Sequence, residues 1–303
     1  MHRIHRRRLL KTALPLSALA TLGALSTLAE QSAAAGQSAT QRMPVLFIGH
    51  GSPMNALQDN AFTRFLRGWN VQWPTPKALL VVSAHWLTPG VTAVGVQLRP
   101  KTIHDFGGFP KALFDMEYPA PGSPEFAREA MAVVKRSKVQ ATQDWGLDHG
   151  TWSVLHHLYP AADVPVFQLS IDYDKPAAFH HALGRELAAL RDRGVLIIGS
   201  GNVVHNLRAT DRVEGLSDTA TRPWAQAFDD AVKRALAARD DMGLVNYTRL
   251  AGDAAATAVQ TPDHYYPFLY ALGASDSMSE HAVSVFEGFQ SGTLSMRCVQ
   301  FGA

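Results

Sequence analysis

The sequence predicts one α/β domain, with a central mostly parallel or mixed sheet flanked by helices and a metal site at the C-terminal ends of its strands. Three observations carry that expectation. Apolar, β-branched runs alternate with amphipathic stretches from Val45 onward. Hydrophobic residues make up 47% of the 303 and charged residues only 18%, enough for a sizeable core. Finally, three strand-like runs lead into histidine: VLFIGH to His50, LLVVSAH to His85 and LIIGSGNVVH to His205. Parallel strands gather their functional groups at one end, so imidazoles from three distant segments can meet in one crevice.

In chain order, strands are expected at Val45 to Ile48, Ala78 to Ser83, Val91 to Val96, Val164 to Ser170 and Val195 to Gly199, each short, apolar and rich in branched residues. Helical periodicity fits Ala61 to Gly68, Pro124 to Ser137, Pro176 to Arg193, Thr221 to Ala238 and Tyr266 to Leu272. Gly292 to Phe301 alternates like a strand and is expected to close a sheet edge. Arg99 to Pro121, rich in Gly and Pro, follows neither period and reads as a long loop of the kind that carries function.

The amino terminus has a different character. Arg6-Arg7-Arg8-Leu9-Leu10-Lys11 precedes a mildly apolar stretch from Ala13 to Ala29, and Ala33-Ala34-Ala35 offers an A-x-A cleavage site. Residues 1–35 are therefore expected to be a twin-arginine-like export signal, with the twin-arginine machinery as partner and a periplasmic or exported product cut near Ala35. Residues 36–43 read as a flexible connector, and 44–303 as the folded domain. Removing the leader takes away Arg3, Arg6, Arg7, Arg8, Lys11 and Glu30, so the formal charge falls from +2 to −2. The basic balance belongs to the leader and points to no nucleic-acid partner. One cysteine, Cys298, excludes an internal disulfide and a thiolate-rich metal site.

A lone histidine beside an apolar strand is more often a hydrogen-bonded structural residue than a ligand. The threefold pattern changes that weighting, because each histidine lies among small or turn-forming residues: Gly49 and Gly51, Ser83 and Ala84, Gly199 to Gly201. Two more stand in unusual contexts, His149 in Leu147-Asp148-His149-Gly150 and His264 in Pro262-Asp263-His264-Tyr265. Each Asp-His pair reads either as a loop aimed at a pocket or as a helix cap. His156, His157, His180 and His181 fall in helix-like stretches and are expected at the surface; His104 could line a substrate entrance, and His281 has no informative context. Gly49-His50-Gly51-Ser52-Pro53 lacks the spacing of a nucleophile elbow, and Gly199-Ser200-Gly201-Asn202 lacks a phosphate-loop lysine.

Taken together, Gly49-His50-Gly51-Ser52-Pro53-Met54, Ser83-Ala84-His85-Trp86, Leu147-Asp148-His149-Gly150, Gly199 through Leu207 and Pro262-Asp263-His264-Tyr265 resemble the class III extradiol ring-cleaving dioxygenases, and among them the DOPA 4,5-dioxygenase-like branch. The likeness runs in order from about Pro44 to Phe301. It implies insertion of O2 beside the diol of a substituted, DOPA-like catechol to give a semialdehyde, at one divalent metal, Fe(II) for catalysis. It also implies His50, His85, His205 and His264 as metal ligands and His149 as acid/base, with Asp148 able to affect its environment. Trp86, Trp152, Tyr265 and Tyr266 are candidates for an aromatic wall.

One departure matters. Many extradiol enzymes hold iron with two histidines and a carboxylate, which leaves three positions for a catecholate and oxygen, whereas four histidines leave two. Either one histidine, with His264 the first choice, stands back during turnover, or the resting site holds tetrahedral Zn(II). Two other functions compete: a zinc-dependent hydrolase with His149 as base, disfavoured by the lack of a strong carboxylate candidate, and a non-catalytic metal-binding member of the superfamily, disfavoured by retention of all five histidines.

Overall fold

The computed structural model describes residues 42–210, 220–276 and 278–302. The expected export signal and residues 36–41 of the expected connector lie outside them. The folded body starts one or two residues earlier than expected: Arg42 pairs with Asp192 at 2.6 Å, and Met43 is buried.

Ten strands are described: β1 (Val45–Gly49), β2 (Ala78–Thr88), β3 (Thr92–Gly95), β4 (Val139–Thr142), β5 (Val166–Asp172), β6 (Val195–Gly201), β7 (Ala282–Phe286), β8 (Phe289–Gln290), β9 (Leu294–Ser295) and β10 (Cys298–Phe301). Eight form one sheet in the order β4-β3-β5-β2-β6-β1-β10-β7, while β8 and β9 make a separate hairpin. The central four, β5, β2, β6 and β1, are parallel. Antiparallel pairs occur at β3 with β5, β1 with β10 and β10 with β7. The mixed sheet of a single α/β domain is therefore as expected.

Alternation along the strands explains how both faces are covered. Val45, Phe47, Leu80, Val82, Val195 and Ile197 enter one apolar core with α5 (Ala177–Leu187), α6 (Pro223–Ala237) and α9 (Tyr266–Ala274). Leu46, Ile48, Leu79, Val81, Leu196 and Ile198 enter the other with α1 (Ala61–Trp69) and α4 (His149–Leu158). The remaining described α-helices are α2 (Lys111–Phe114), α3 (Pro124–Val133), α7 (Asp241–Val245) and α8 (Asp253–Ala258).

Several expectations are corrected. The alternating run Gly292 to Phe301 splits into β9 and β10, and β10 does not close the sheet, because β7 pairs outside it. Strand β7 is half exposed and β4 partly so, and neither carries a long apolar run, which is why the pattern passes over both. The α5 helix tightens at Ala188–Arg193 into a 3-10 turn that ends on Gly194 with φ 89°, so the expected helix is broken in two. His157 and His180 are buried rather than superficial: Nε2 of each donates to a backbone carbonyl, of Asn55 and of Lys175.

Candidate metal and acid–base site

Because β1, β6 and β2 are parallel, their carboxyl ends lie side by side. His50 follows β1, with its backbone N–H donating to the Gly201 carbonyl at the end of β6. His85 lies inside β2, not at its end, but past Ser83, the last residue paired to β6, and within the irregular register toward β5 between Val82 and Leu87. His205 follows β6 and is tied by its backbone to Ala258 at 2.9 Å. His264 ends a short 3-10 turn, Pro262–His264. Its carbonyl accepts from the Asn202 N–H and would lie 2.2 Å from any Cβ at Gly201, so a side chain at 201 would push the turn off the strand end.

His149 satisfies both readings of its motif. Asp148 is the N-cap of α4, accepting from the Thr151 N–H, and His149 is the first helical residue, facing the other histidines. Gly150 is required beside it: a Cβ there would meet Ser83 Oγ at 2.5 Å and His85 Cδ2 at 2.9 Å.

The five rings converge. Ring centroids lie 5.0 Å apart for His50 and His85, 5.3 Å for His50 and His264, 3.8 Å for His85 and His149, and 5.7 Å for His50 and His149. His205 stacks on His264 at 3.4 Å and 5°. Donor atoms of His50, His85 and His264 all lie within 4.8 Å of one another; His205 forms a second such group with Asp263 and His264, and His85, Asp105 and His149 a third. It is thus His205, not His264, that falls outside the group containing His50 and His85.

Hydrogen bonding fixes which ring nitrogens carry lone pairs. Ser200 Oγ gives its proton to the Gly150 carbonyl at 2.5 Å, so His50 Nδ1, 3.0 Å away, must donate to Ser200 and its Nε2 is left as an acceptor. That Nε2 faces His85 Nε2 at 3.2 Å. His264 Nδ1 donates to Asp263, and His149 Nδ1 to Asp105 Oδ2 at 2.8 Å, again leaving Nε2 free to accept. Burial, reinforced by the neighbouring imidazoles, pushes His50 and His85 well below the usual histidine range, and His205 down as well. These rings are neutral near pH 7, the form that binds a metal.

Three carboxylates frame the cluster with different chemistry. Burial opposes ionisation of Asp105 and Asp263, but the bonded His149 and His264 outweigh it and hold both below the usual carboxylate range. Burial and the charge of Asp105 raise Asp148, which is bonded to Ser83, Gln168 and Trp145. Asp148 therefore supports the helix start and does not bond the His149 ring; Asp105 does. Sequence reasoning passed over Asp105 because it is an isolated acid in the irregular loop, 44 residues from its partner.

The aromatic lining differs from expectation at three of the four residues, Trp152 alone joining the rings near His149. Tyr265 is core, its hydroxyl donating to the Leu244 carbonyl; Tyr266 lies on His180; Trp86 stacks on Trp145. The ring set edge-on to His149 is Phe106, at 5.5 Å, within a cluster of Phe109, Phe114, Trp152 and His104. His104, the expected entrance residue, belongs to this cluster and donates to the Met116 carbonyl.

Comparison with known proteins shows what the chain is similar to. Residues 44–295 match the family described as the catalytic LigB subunit of aromatic ring-opening dioxygenase. A 4,5-DOPA dioxygenase extradiol of Escherichia coli (strain K12) is 48% identical over 268 residues, covering 87% of this chain and 96% of its own length. One from Beta vulgaris is 38% identical over 263 residues, covering 84% and 95%. The crystal structure of an uncharacterized Escherichia coli K12 protein superposes with a TM-score of 0.74 at 43% identity, over 86% of this chain and 100% of the other.

Proposed function

The chain belongs to the family of the catalytic LigB subunit of aromatic ring-opening dioxygenases and is an extradiol dioxygenase, and from that premise we propose that it inserts O2 into a substituted, DOPA-like catechol beside the diol, giving a semialdehyde. The family implies one non-haem metal held by histidines. The donor set fits it: neutral buried imidazoles, one with its acceptor nitrogen fixed by Ser200, turn Nε2 atoms toward each other at 3.2 Å. His50, His85 and His264 would hold the metal most directly, with His205 joined to them through the stacked His264. When bound, Fe(II) would supply a centre where electrons pass between a catechol and dioxygen; Zn(II), without a second oxidation state, would occupy the same nitrogens without supporting the reaction.

The protein's own groups do the remaining work. His149 Nε2, a free acceptor, takes a proton from a catechol hydroxyl and returns it to the opened product. Asp105 stabilises the imidazolium formed in between. Phe106 and its aromatic neighbours give an apolar ring a face to pack on and keep water from that side. The observation that carries the reading is the convergence of five histidines from five segments, with His50, His85 and His205 held neutral by burial and His149 and His264 each committing Nδ1 to a carboxylate.

The test is to add Fe(II) to metal-free protein under anaerobic conditions and then admit oxygen with dihydroxyphenylalanine, catechol and other substituted catechols. Oxygen uptake with a yellow semialdehyde is expected. No uptake with any of them, or ester or amide hydrolysis by the Zn(II) form, would overturn the reading. We further propose export by the twin-arginine route to the periplasm, supported by Arg6-Arg7 and the A-x-A site at Ala33 to Ala35. Replacing both arginines, Arg6→Lys with Arg7→Lys, is expected to leave the precursor in the cytoplasmic fraction. Unchanged recovery of shortened protein from the periplasm would refute this route.

A further inference from the structure

The geometry points to Asp105 as the positioning residue that fixes the proton on His149 and orients His85 with it. The inference rests on the proposed role of His149. Asp105 uses both oxygens on one partner: Oδ1 accepts from the His149 backbone N–H and Oδ2 from ring Nδ1, each at 2.8 Å. A carboxylate with two acceptor oxygens suits that pair of donors, and with both bonds made the ring has one orientation and one tautomer. The same Oδ2 lies 3.5 Å from Nδ1 of His85, whose ring centroid is 3.8 Å from that of His149. One anion therefore favours Nδ1–H on both rings and leaves both Nε2 lone pairs for the site, one toward His50 and one for substrate.

The surroundings show why Asp105 can hold this pose. It is largely sheltered, and the loop that carries it is anchored on either side: the Ile103 N–H donates to the Leu147 carbonyl, the Ile103 carbonyl accepts from Trp152 Nε1, and Phe106 lies edge-on to His149. Gly107 and Gly108 follow, the latter at φ 78°, a conformation that turns the chain away immediately after the contact. The residue that aligns the proton acceptor and the aromatic that lines it are consecutive, so this loop couples substrate placement to the readiness of His149.

Asp105→Asn tests the inference because asparagine offers one acceptor oxygen where the site uses two, and presents N–H to the other position. In protein saturated with Fe(II), kcat per bound iron is expected to fall by about 100-fold or more, the lower range for a displaced general base, with KM for catechol and melting temperature little changed, while iron affinity weakens about 10-fold or more as His85 loses its partner. Asp105→Glu, which restores two acceptors, should recover part of the loss. In zinc-loaded protein with isotope-labelled histidine, nitrogen NMR should find the His149 proton on Nδ1 in the wild type and shifted toward Nε2 in Asp105→Asn. Wild-type kcat in the asparagine variant, a fall that merely tracks lost iron, or an unmoved Nδ1 proton would overturn the assignment. A wild-type protein that opens no catechol would instead refute the proposed function, and the NMR result would still decide the role of Asp105.

Discussion

Replacing His149 with alanine is expected to lower kcat for catechol cleavage by about 100-fold to 10,000-fold, the range attributed to a positioned acid–base group. The iron content should stay near that of the wild type. The two halves of the expectation have separate causes. His149 Nδ1 is committed to Asp105 at 2.8 Å, and Nε2 is the one ring nitrogen left for a substrate proton. The group of three converging imidazoles, His50, His85 and His264, does not include His149, which groups with His85 and Asp105 instead. His149→Gln, closer in size, should show the same loss and guard against an effect of the vacated space. Rapid-mixing kinetics with metal analysis on the same samples checks this; retained turnover, or turnover lost in proportion to iron, would assign His149 elsewhere.

His50→Ala is expected to remove both metal and activity. His50 lies 5.0 to 5.7 Å by ring centroid from His85, His149 and His264, and its Nε2 is fixed as an acceptor by the Ser200 bond. Loss of an outer partner of a ligand already weakens metal binding about 10-fold to 100-fold, so loss of a ligand should exceed about 100-fold. Equilibrium dialysis with Fe(II) and Zn(II) reads the change directly, and circular dichroism of the metal-free variant should show the wild-type fold, since alanine keeps the backbone N–H bond from position 50 to Gly201. Wild-type metal content in His50→Ala would place the ion elsewhere.

The sequence showed the frame of this site and missed its support. Histidines at the ends of β1 and β6 were legible because an apolar run followed by small residues marks a buried strand leaving the sheet. His85 was legible too, although β2 continues past it to Thr88 with irregular register, a feature that depends on what neighbouring strands allow. The burial of His157 and His180 escaped notice because helical periodicity does not reveal which face meets another element. Asp105 escaped because nothing in a glycine-rich loop ties an acid to a histidine 44 residues away; that bond exists only once the loop folds over α4. Tyr265 and Tyr266 drew attention by adjoining His264, yet their rings turn into the core while Phe106 takes the place beside His149.

The central claim is that these histidines form one oxygen-inserting metal centre. The most direct measurement is a single-turnover reaction of iron-loaded protein with dihydroxyphenylalanine under isotope-labelled dioxygen, with iron counted on the same sample and the product mass determined. The account predicts one iron per chain and a ring-opened product carrying both labelled oxygen atoms. A ring-opened product carrying no labelled oxygen, or an intact ring after oxygen is admitted, would contradict it.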